Sequence, residues 1–266
     1  MRVHMVIPDC QVKHGVPTQH REWIGKYIVE YKPDVIINIG DFADMPSLSS
    51  YDKGKKCFEG RRYNLDILSA KEGMAKLLKP MKDHNKNLAK TKHKQYKPEM
   101  HMTLGNHEHR ITRAVECDAI LEDMMGISNL QYDKDWIVHE FLDPVTIDGV
   151  TYAHYFYNPM NGRPYGGMIE SMIKTIGFTF TMGHQQGLRQ GMRTLNNGKM
   201  IRGLVAGSCY LHEENYIGYQ GNEHWQGIII KHEVEDGNYC IMEISLDFLC
   251  RKYEQMRLSK FMEAIK

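Results

Sequence analysis

Short apolar runs alternate with helical periodicity over the first hundred residues, and each run ends on polar residues. Residues 3–7 are apolar apart from His4 and stop at Pro8-Asp9. Pro17-Thr18 then opens a stretch in which Trp23, Ile24, Tyr27, Ile28 and Tyr31 recur three and four apart, which places them on one helix face. Pro33 stops that helix. Residues 34–39 form a run rich in β-branched residues (Val35, Ile36, Ile37 and Ile39), the pattern of a strand buried on both faces. The order strand, helix, strand predicts a βαβ unit with a parallel, right-handed connection. A third strand is expected over 100–104. A helix through Ile111, Val115, Leu121 and Met125 should follow, closed by Gly126.

The second half reads as strands joined by turns. They are expected over 136–141, 145–147, 151–156, 178–182, 200–206, 226–234 and 240–246, with a helix over 165–176 and a short amphipathic one over 251–266. Asp148-Gly149 and Asp236-Gly237-Asn238 are hairpin-turn signals. Residues 47–97 differ from both halves. Leu65, Leu68, Met74, Leu78 and Met81 fit one helical face, and 79–97 then carries seven lysines against one acid, Asp83. This predicts a basic helical insertion over the sheet. Its charge reads either as a solvated surface or as a contact for a nucleic-acid backbone. No internal repeat or low-complexity linker interrupts the chain, so a single domain over 1–266 is expected.

Composition narrows the function classes. Hydrophobic residues make up 42% of the 266 and charged residues 25%, which excludes a disordered chain, a collagen or a coiled-coil rod. The net charge of +1 argues against a histone-like DNA wrapper. Six cysteines, none in a CxxC pair, suit free thiols in a reducing compartment. The start of the chain shows no charged leader before an apolar stretch, and no apolar run approaches the ~18 residues of a membrane helix. A cytoplasmic protein is expected. There is no dinucleotide fingerprint and no P-loop.

The candidate chemistry lies where the apolar runs end. Both strands of the βαβ unit close on an acid, Asp9 and Asp41, and ligands gather at the carboxyl ends of strands in α/β sheets. Five segments put metal-type ligands at such ends: Asp9-Cys10-Gln11, Gly40-Asp41-Phe42-Ala43-Asp44, Gly105-Asn106-His107-Glu108, Ala153-His154-Tyr155 and Gly183-His184-Gln185-Gln186. Singly, each has an ordinary structural explanation. Five at the same structural address point to a metal site.

These segments resemble the signature of the calcineurin-like metallophosphoesterases, with GD followed by GNHE as the strongest pair. The family includes protein phosphatases, phosphodiesterases and the nuclease subunits of DNA-repair complexes. The resemblance covers Asp9 to about Gln186 and is uninformative over the insertion. It implies an α/β fold: a two-sheet sandwich flanked by helices in four layers, αββα. It implies that Asp9 binds a first metal and that Asp41 bridges two. Asn106, His154 and His184 would complete the second site. His107 would stand beside the phosphate as a catalytic residue. Asp44 occupies a position where members often keep an acid and would orient His107 or its loop. Asn106, His107, His109 and Arg110 are the expected substrate contacts, with Arg110 read equally as pairing with an acid on its own helix.

Two positions depart from the pattern. Gln11 stands two residues after the first aspartate, and Gln186 stands in the GHxH segment, where the family usually has histidines. Both departures fall on the first metal. Glutamine still offers a carbonyl oxygen, though a weaker one. The expected cofactors are therefore two divalent ions, with the first site weaker. Oxygen-rich ligation favours Mn²⁺, while Mg²⁺, Fe²⁺ or Zn²⁺ are possible. His212, after Ala206-Gly207-Ser208-Cys209, is a candidate to replace a missing imidazole. Cys10 and Cys209 read as buried thiols. Tyr155, Tyr157, Asn158 and Arg163 form a polar-aromatic loop after His154. The expected activity is hydrolysis of phosphodiester bonds in nucleic acid or nucleotides. The alternatives are a phosphomonoesterase acting on small molecules or proteins, and a non-catalytic protein that binds phosphate or nucleic acid through metal. Neither a membrane partner nor a defined oligomeric state is implied.

Overall fold

The computed structural model describes residues 1–214 and 224–265. Eleven strands are described: β1 (Arg2–Ile7), β2 (Val35–Asn38), β3 (Glu99–Thr103), β4 (Ile137–His139), β5 (Val145–Ile147), β6 (Val150–Ala153), β7 (Phe180–Met182), β8 (Leu188–Thr194), β9 (Met200–Ala206), β10 (Gly227–Glu235) and β11 (Asn238–Ser245). Six helices accompany them: α1 (Gln19–Tyr31), α2 (Tyr63–Lys90), α3 (His109–Cys117), α4 (Ile169–Ile176), α5 (Leu246–Glu254) and α6 (Leu258–Ala264). The fold is α/β with two mixed sheets. One has the order β11-β10-β1-β2-β3-β4 and the other β5-β6-β7-β9-β8.

Strand alternation explains the packing. On β1, Met5 and Ile7 face the helices, while Val6 faces the opposite sheet. Trp23 and Ile28 of α1, Leu77 of α2, Leu249 of α5 and Phe261 of α6 join Met5, Ile7 and Ile36 in one core. Val6, Ile37 and Ile39 meet Tyr152, Leu204 and Ala206 of the second sheet in another. Met172 and Ile173 of α4 cover the second sheet's outer face with Phe180 and Val205. β1, β2, β3 and β4 are parallel neighbours, so their carboxyl ends share one rim.

The elements of residues 1–46 follow the sequence pattern closely. Both hairpin turns form where Asp-Gly predicts them, with Asp148, Gly149, Asp236 and Gly237 all at positive φ. The two tips pack on each other: a Cβ on Gly149 would come within 2.4 Å of Gly237 N.

Several expectations need correction. The helix expected through Met125 stops at Cys117, because Asp118 turns extended (φ −148°, ψ 99°) and its carboxylate accepts from Ile120 N. The helix expected from 165 begins at Ile169, and residues 251–266 hold parts of two helices, the first starting at Leu246. Lys266 lies outside the described residues. β8 was not expected. It is a largely solvent-facing edge strand, LRQGMRT, whose polar residues carry little strand signal.

Residues 47–97 are more tightly integrated than an excursion over the sheet. α2 buries Ile67, Ala70, Met74, Leu77, Leu78 and Met81, whereas Leu68 is 55% exposed. Pro80 sits inside the helix without ending it. The crossing with α1 at that turn requires Gly25, where a Cβ would lie 2.3 Å from Leu77 O and 2.9 Å from the Pro80 ring. Among the described residues, no helix is long and apolar enough to cross a membrane.

Candidate metal centre

The five sequence segments converge on one rim. Asp9 follows β1, Gly40-Asp41 follows β2, Gly105–Glu108 follows β3, His154 follows β6 and His184 follows β7. The two sheets therefore both contribute, and the loops are locked together by backbone bonds. Cys10 N and Gln11 N donate to Asp41 O at 3.1 and 2.8 Å. A Cβ on Gly105 would lie 2.1 Å from Asp41 Oδ1, so only glycine lets the β3 loop approach the carboxylate. Gln11, Asp41, His184 and Gln186 all have φ between 42° and 67°. Left-handed backbone is uncommon for non-glycine residues, and its clustering marks a site held in shape by its surroundings.

Asp41, His154 and His184 bring one ligand-type atom each within 4.8 Å of one another. His154 Nε2 lies 3.2 Å from Asp41 Oδ2 and 3.0 Å from Asn106 Oδ1. Its other ring nitrogen, Nδ1, lies 3.0 Å from Ile39 O. Nδ1 thus has a carbonyl oxygen to donate to, while Nε2 is turned toward the Asp41 and Asn106 oxygens, where a cation could replace its proton. Asp9 is fully buried, and both its oxygens accept from His184 N at 3.1 Å.

The charges are strongly coupled. Burial pushes the Asp9 carboxyl up to about 7. Burial works the same way on Asp41, but His107 and His154 outweigh it and hold that carboxyl well below the usual range. Burial opposes the charge on His154, yet Asp41 raises it to about 9. His184 is lowered to about 4 by burial and by the neighbouring His154. A buried carboxylate next to a site that attracts positive charge suits a cation.

His107 also approaches Asp41 Oδ2. Its Nδ1 lies 2.8 Å from Asp44 Oδ1, and its Nε2 lies 3.7 Å from Asp41 Oδ2 and 3.2 Å from Arg110 Nη2. Arg110 donates to Asp44 O at 2.8 Å, so it braces the Asp44 loop as well as facing the site. Burial opposes ionisation of Asp44, but His107, Lys13 and Arg110 keep its carboxyl below the ordinary range. The His109 ring is stacked on Phe141 at 4.7 Å.

The first-metal side differs from the second. Both side-chain polar atoms of Gln11 are buried without a protein partner. Gln186 Oε1 accepts from the Tyr210 hydroxyl at 2.8 Å. His212 does not belong to the donor cluster found among the described residues. Its Nε2 lies 2.6 Å from Glu214 Oε1, and its ring stacks on Tyr210. Cys10 and Cys209 are buried thiols. The end of the basic stretch lies away from this rim. Tyr96 donates to Pro33 O and Glu99 N to Asp34 O, which places the end of that stretch at the amino ends of β2 and β3.

Sequence reasoning assigned no role to Lys13, Glu108, Phe141 or Tyr210. Lys13 Nζ lies 3.1 Å from Asp44 Oδ2 and 2.5 Å from Glu214 Oε1, a link no local motif announces. Glu108 had a signal, its place in GNHE. It is fully buried and accepts from Asp41 N, Ala43 N and Gly105 N at 3.0, 2.8 and 2.9 Å. It thus ties the β2 loop to the β3 loop. Glu108→Ala would leave three buried N–H groups without an acceptor, at roughly 1–3 kcal/mol each before relaxation. Urea unfolding should show a loss on the order of 3 kcal/mol. A loss below 1 kcal/mol would mean that the loops are held by other contacts.

No family model matches the chain, and no curated protein matches it. One solved structure aligns over 92% of this chain and 99% of its own, with 9% identity and a TM-score of 0.40. A likeness at that level shows neither fold family nor function.

Proposed function

We propose that the chain is a divalent-metal-dependent phosphoesterase of the calcineurin-like metallophosphoesterase type, with the family's four-layer αββα sandwich, that hydrolyses phosphodiester bonds of nucleotides or nucleic acid. The reading rests above all on the meeting of Asp41, His154 and His184, which are far apart in sequence, beside Asp9 and Asn106. The donor set fits a divalent ion. One carboxylate and two imidazoles bring donor atoms within 4.8 Å of one another, the Asn106 amide oxygen lies 3.0 Å from His154 Nε2, and His154 Nδ1 is turned to a carbonyl that leaves Nε2 for the ion.

The second site would be held by Asp41, Asn106, His154 and His184. The first would be held by Asp9, Asp41, Gln11 and Gln186, all oxygen donors, which suits Mn²⁺ or Mg²⁺ better than Zn²⁺. When bound, the ions supply Lewis-acid stabilisation of the phosphate and an ionised water. The chain's own contribution is positional. Asp44 lies 2.8 Å from His107 Nδ1 and, with Asp41, favours the imidazolium, whose Nε2 beside Asp41 would donate to a phosphate or leaving-group oxygen. Arg110 adds positive charge on the same side.

The test is hydrolysis of bis-p-nitrophenyl phosphate and of p-nitrophenyl phosphate by chelator-stripped protein with added Mn²⁺. The diester should be cleaved faster, and only with the ion. A faster monoester would make the protein a phosphomonoesterase. Activity on neither substrate, with Mn²⁺ still bound in calorimetry, would leave a binding protein. The same calorimetry should resolve one tight and one weaker event; two equal events would contradict the assignment of Gln11 and Gln186.

A further inference from the structure

Beside the metal-type cluster runs a line of rings that the phosphoesterase reading does not use. Tyr155 lies against His184 at 4.8 Å between centroids, Phe141 meets Tyr155 edge-to-face at 5.4 Å, and His109 stacks on Phe141 at 4.7 Å. Phe141 follows β4 of the first sheet and Tyr155 follows β6 of the second, so the line crosses the seam between the sheets at the site's own rim. Phe141 packs on the helix-covered core, Tyr155 on the core beneath α4, and both remain partly exposed. Each ring is therefore anchored at its base while part of its surface meets solvent.

We propose that Phe141 and Tyr155 form a stacking subsite for one unpaired nucleobase attached to the scissile phosphate. The inference rests on the phosphoesterase reading and adds the substrate class: a nucleotide phosphodiester with a free base, either a small nucleotide or a single-stranded end. The geometry favours this occupant. About six covalent bonds separate a nucleotide's phosphorus from its base nitrogen, a folded span on the order of 5–6 Å. A phosphate at Asp41 and His184 thus has Tyr155, 4.8 Å from the His184 ring, within reach of its base, with Phe141 next to Tyr155 at 5.4 Å. Aromatic rings accept any base by its π-face, so stacking selects for a base without selecting its identity. A paired base in a duplex keeps its faces covered by its neighbours and cannot take this position.

The test compares thymidine 5′-(p-nitrophenyl phosphate) with methyl p-nitrophenyl phosphate, which share a leaving group and differ in the nucleoside. The wild type should prefer the thymidine ester in kcat/KM by roughly 5- to 150-fold, the range one stacked base supplies. Phe141→Leu keeps apolar volume but removes the π-face, and should bring the preference at least fivefold closer to unity. Phe141→Trp should keep or raise it. A preference unchanged in Phe141→Leu, or absent in a wild type that cleaves both esters, would overturn the subsite and leave the phosphoesterase reading intact. If neither ester is cleaved, that reading fails. The subsite is then judged by thymidine 5′-monophosphate binding with Mn²⁺, followed by intrinsic fluorescence: binding weakened in Phe141→Leu supports it, and no binding ends it. A dinucleotide and a labelled single-stranded oligonucleotide separate the two sources, and cleavage confined to duplex ends would count against both.

Discussion

Asp41→Asn should lower turnover of bis-p-nitrophenyl phosphate by on the order of 10³-fold or more, equivalent to ~4 kcal/mol of transition-state stabilisation. The substitution is close to isosteric, and it separates two jobs. Asp41 Oδ1 accepts from His107 N at 2.9 Å, a bond an asparagine oxygen can keep. Oδ2 faces His154 and His107, and there asparagine puts an amide that donates and carries no charge. The loops should therefore stay folded while the anion at the centre of the site is lost. Metal affinity should fall with activity, because on the proposed reading this carboxylate would be shared by both ions. Steady-state kinetics at saturating Mn²⁺ and metal analysis after gel filtration check the two effects together. A variant that keeps its metal and turns over within tenfold of the wild type would show that Asp41 is not the bridging ligand.

The site was more legible in the sequence than the surroundings that shape it. Asp9, Asp41, Asn106, His107, His154 and His184 each follow an apolar run, and strand ends are where a parallel sheet gathers polar groups. Their order along the chain carried the resemblance. Glu108, buried and bonded to three backbone N–H groups, was visible in its motif, but nothing local indicated that its partners would come from the β2 loop. Lys13, Tyr210 and Phe141 were not legible, because their contacts depend on how the second sheet and the late loops fold over the first. The same reasoning applies to the elements. Strands buried on both faces announce themselves as β-branched runs. β8, at an edge and largely polar, does not, and the break at Asp118 depends on one side chain choosing a local bond over the helix. The lysine-rich stretch was read either as a solvated surface or as a nucleic-acid contact, and charge alone did not tell that its far end lies at the rim opposite the metal-type ligands.

His107→Ala should lower kcat by roughly 10²- to 10⁴-fold while leaving bound metal nearly unchanged. Its imidazole lies 3.7 Å from Asp41 Oδ2 but is not in the donor cluster of Asp41, His154 and His184. Its backbone N–H, which donates to Asp41 Oδ1, survives in alanine. Asp44 would lose one partner and keep Lys13 at 3.1 Å and Arg110 at 3.5 Å, so no unpaired buried charge is created. The variant should accordingly unfold within about 1–2 kcal/mol of the wild type in urea. An effect on kcat without loss of metal is what a proton donor or hydrogen-bond donor to the leaving group predicts, since the ions can assemble without it. Asp44→Asn should reproduce part of the effect, because Nδ1 would lose its anionic partner and the ring its fixed orientation. If His107→Ala emptied the ions instead, His107 would be a ligand, and the division of labour between it and His154 would have to be reversed.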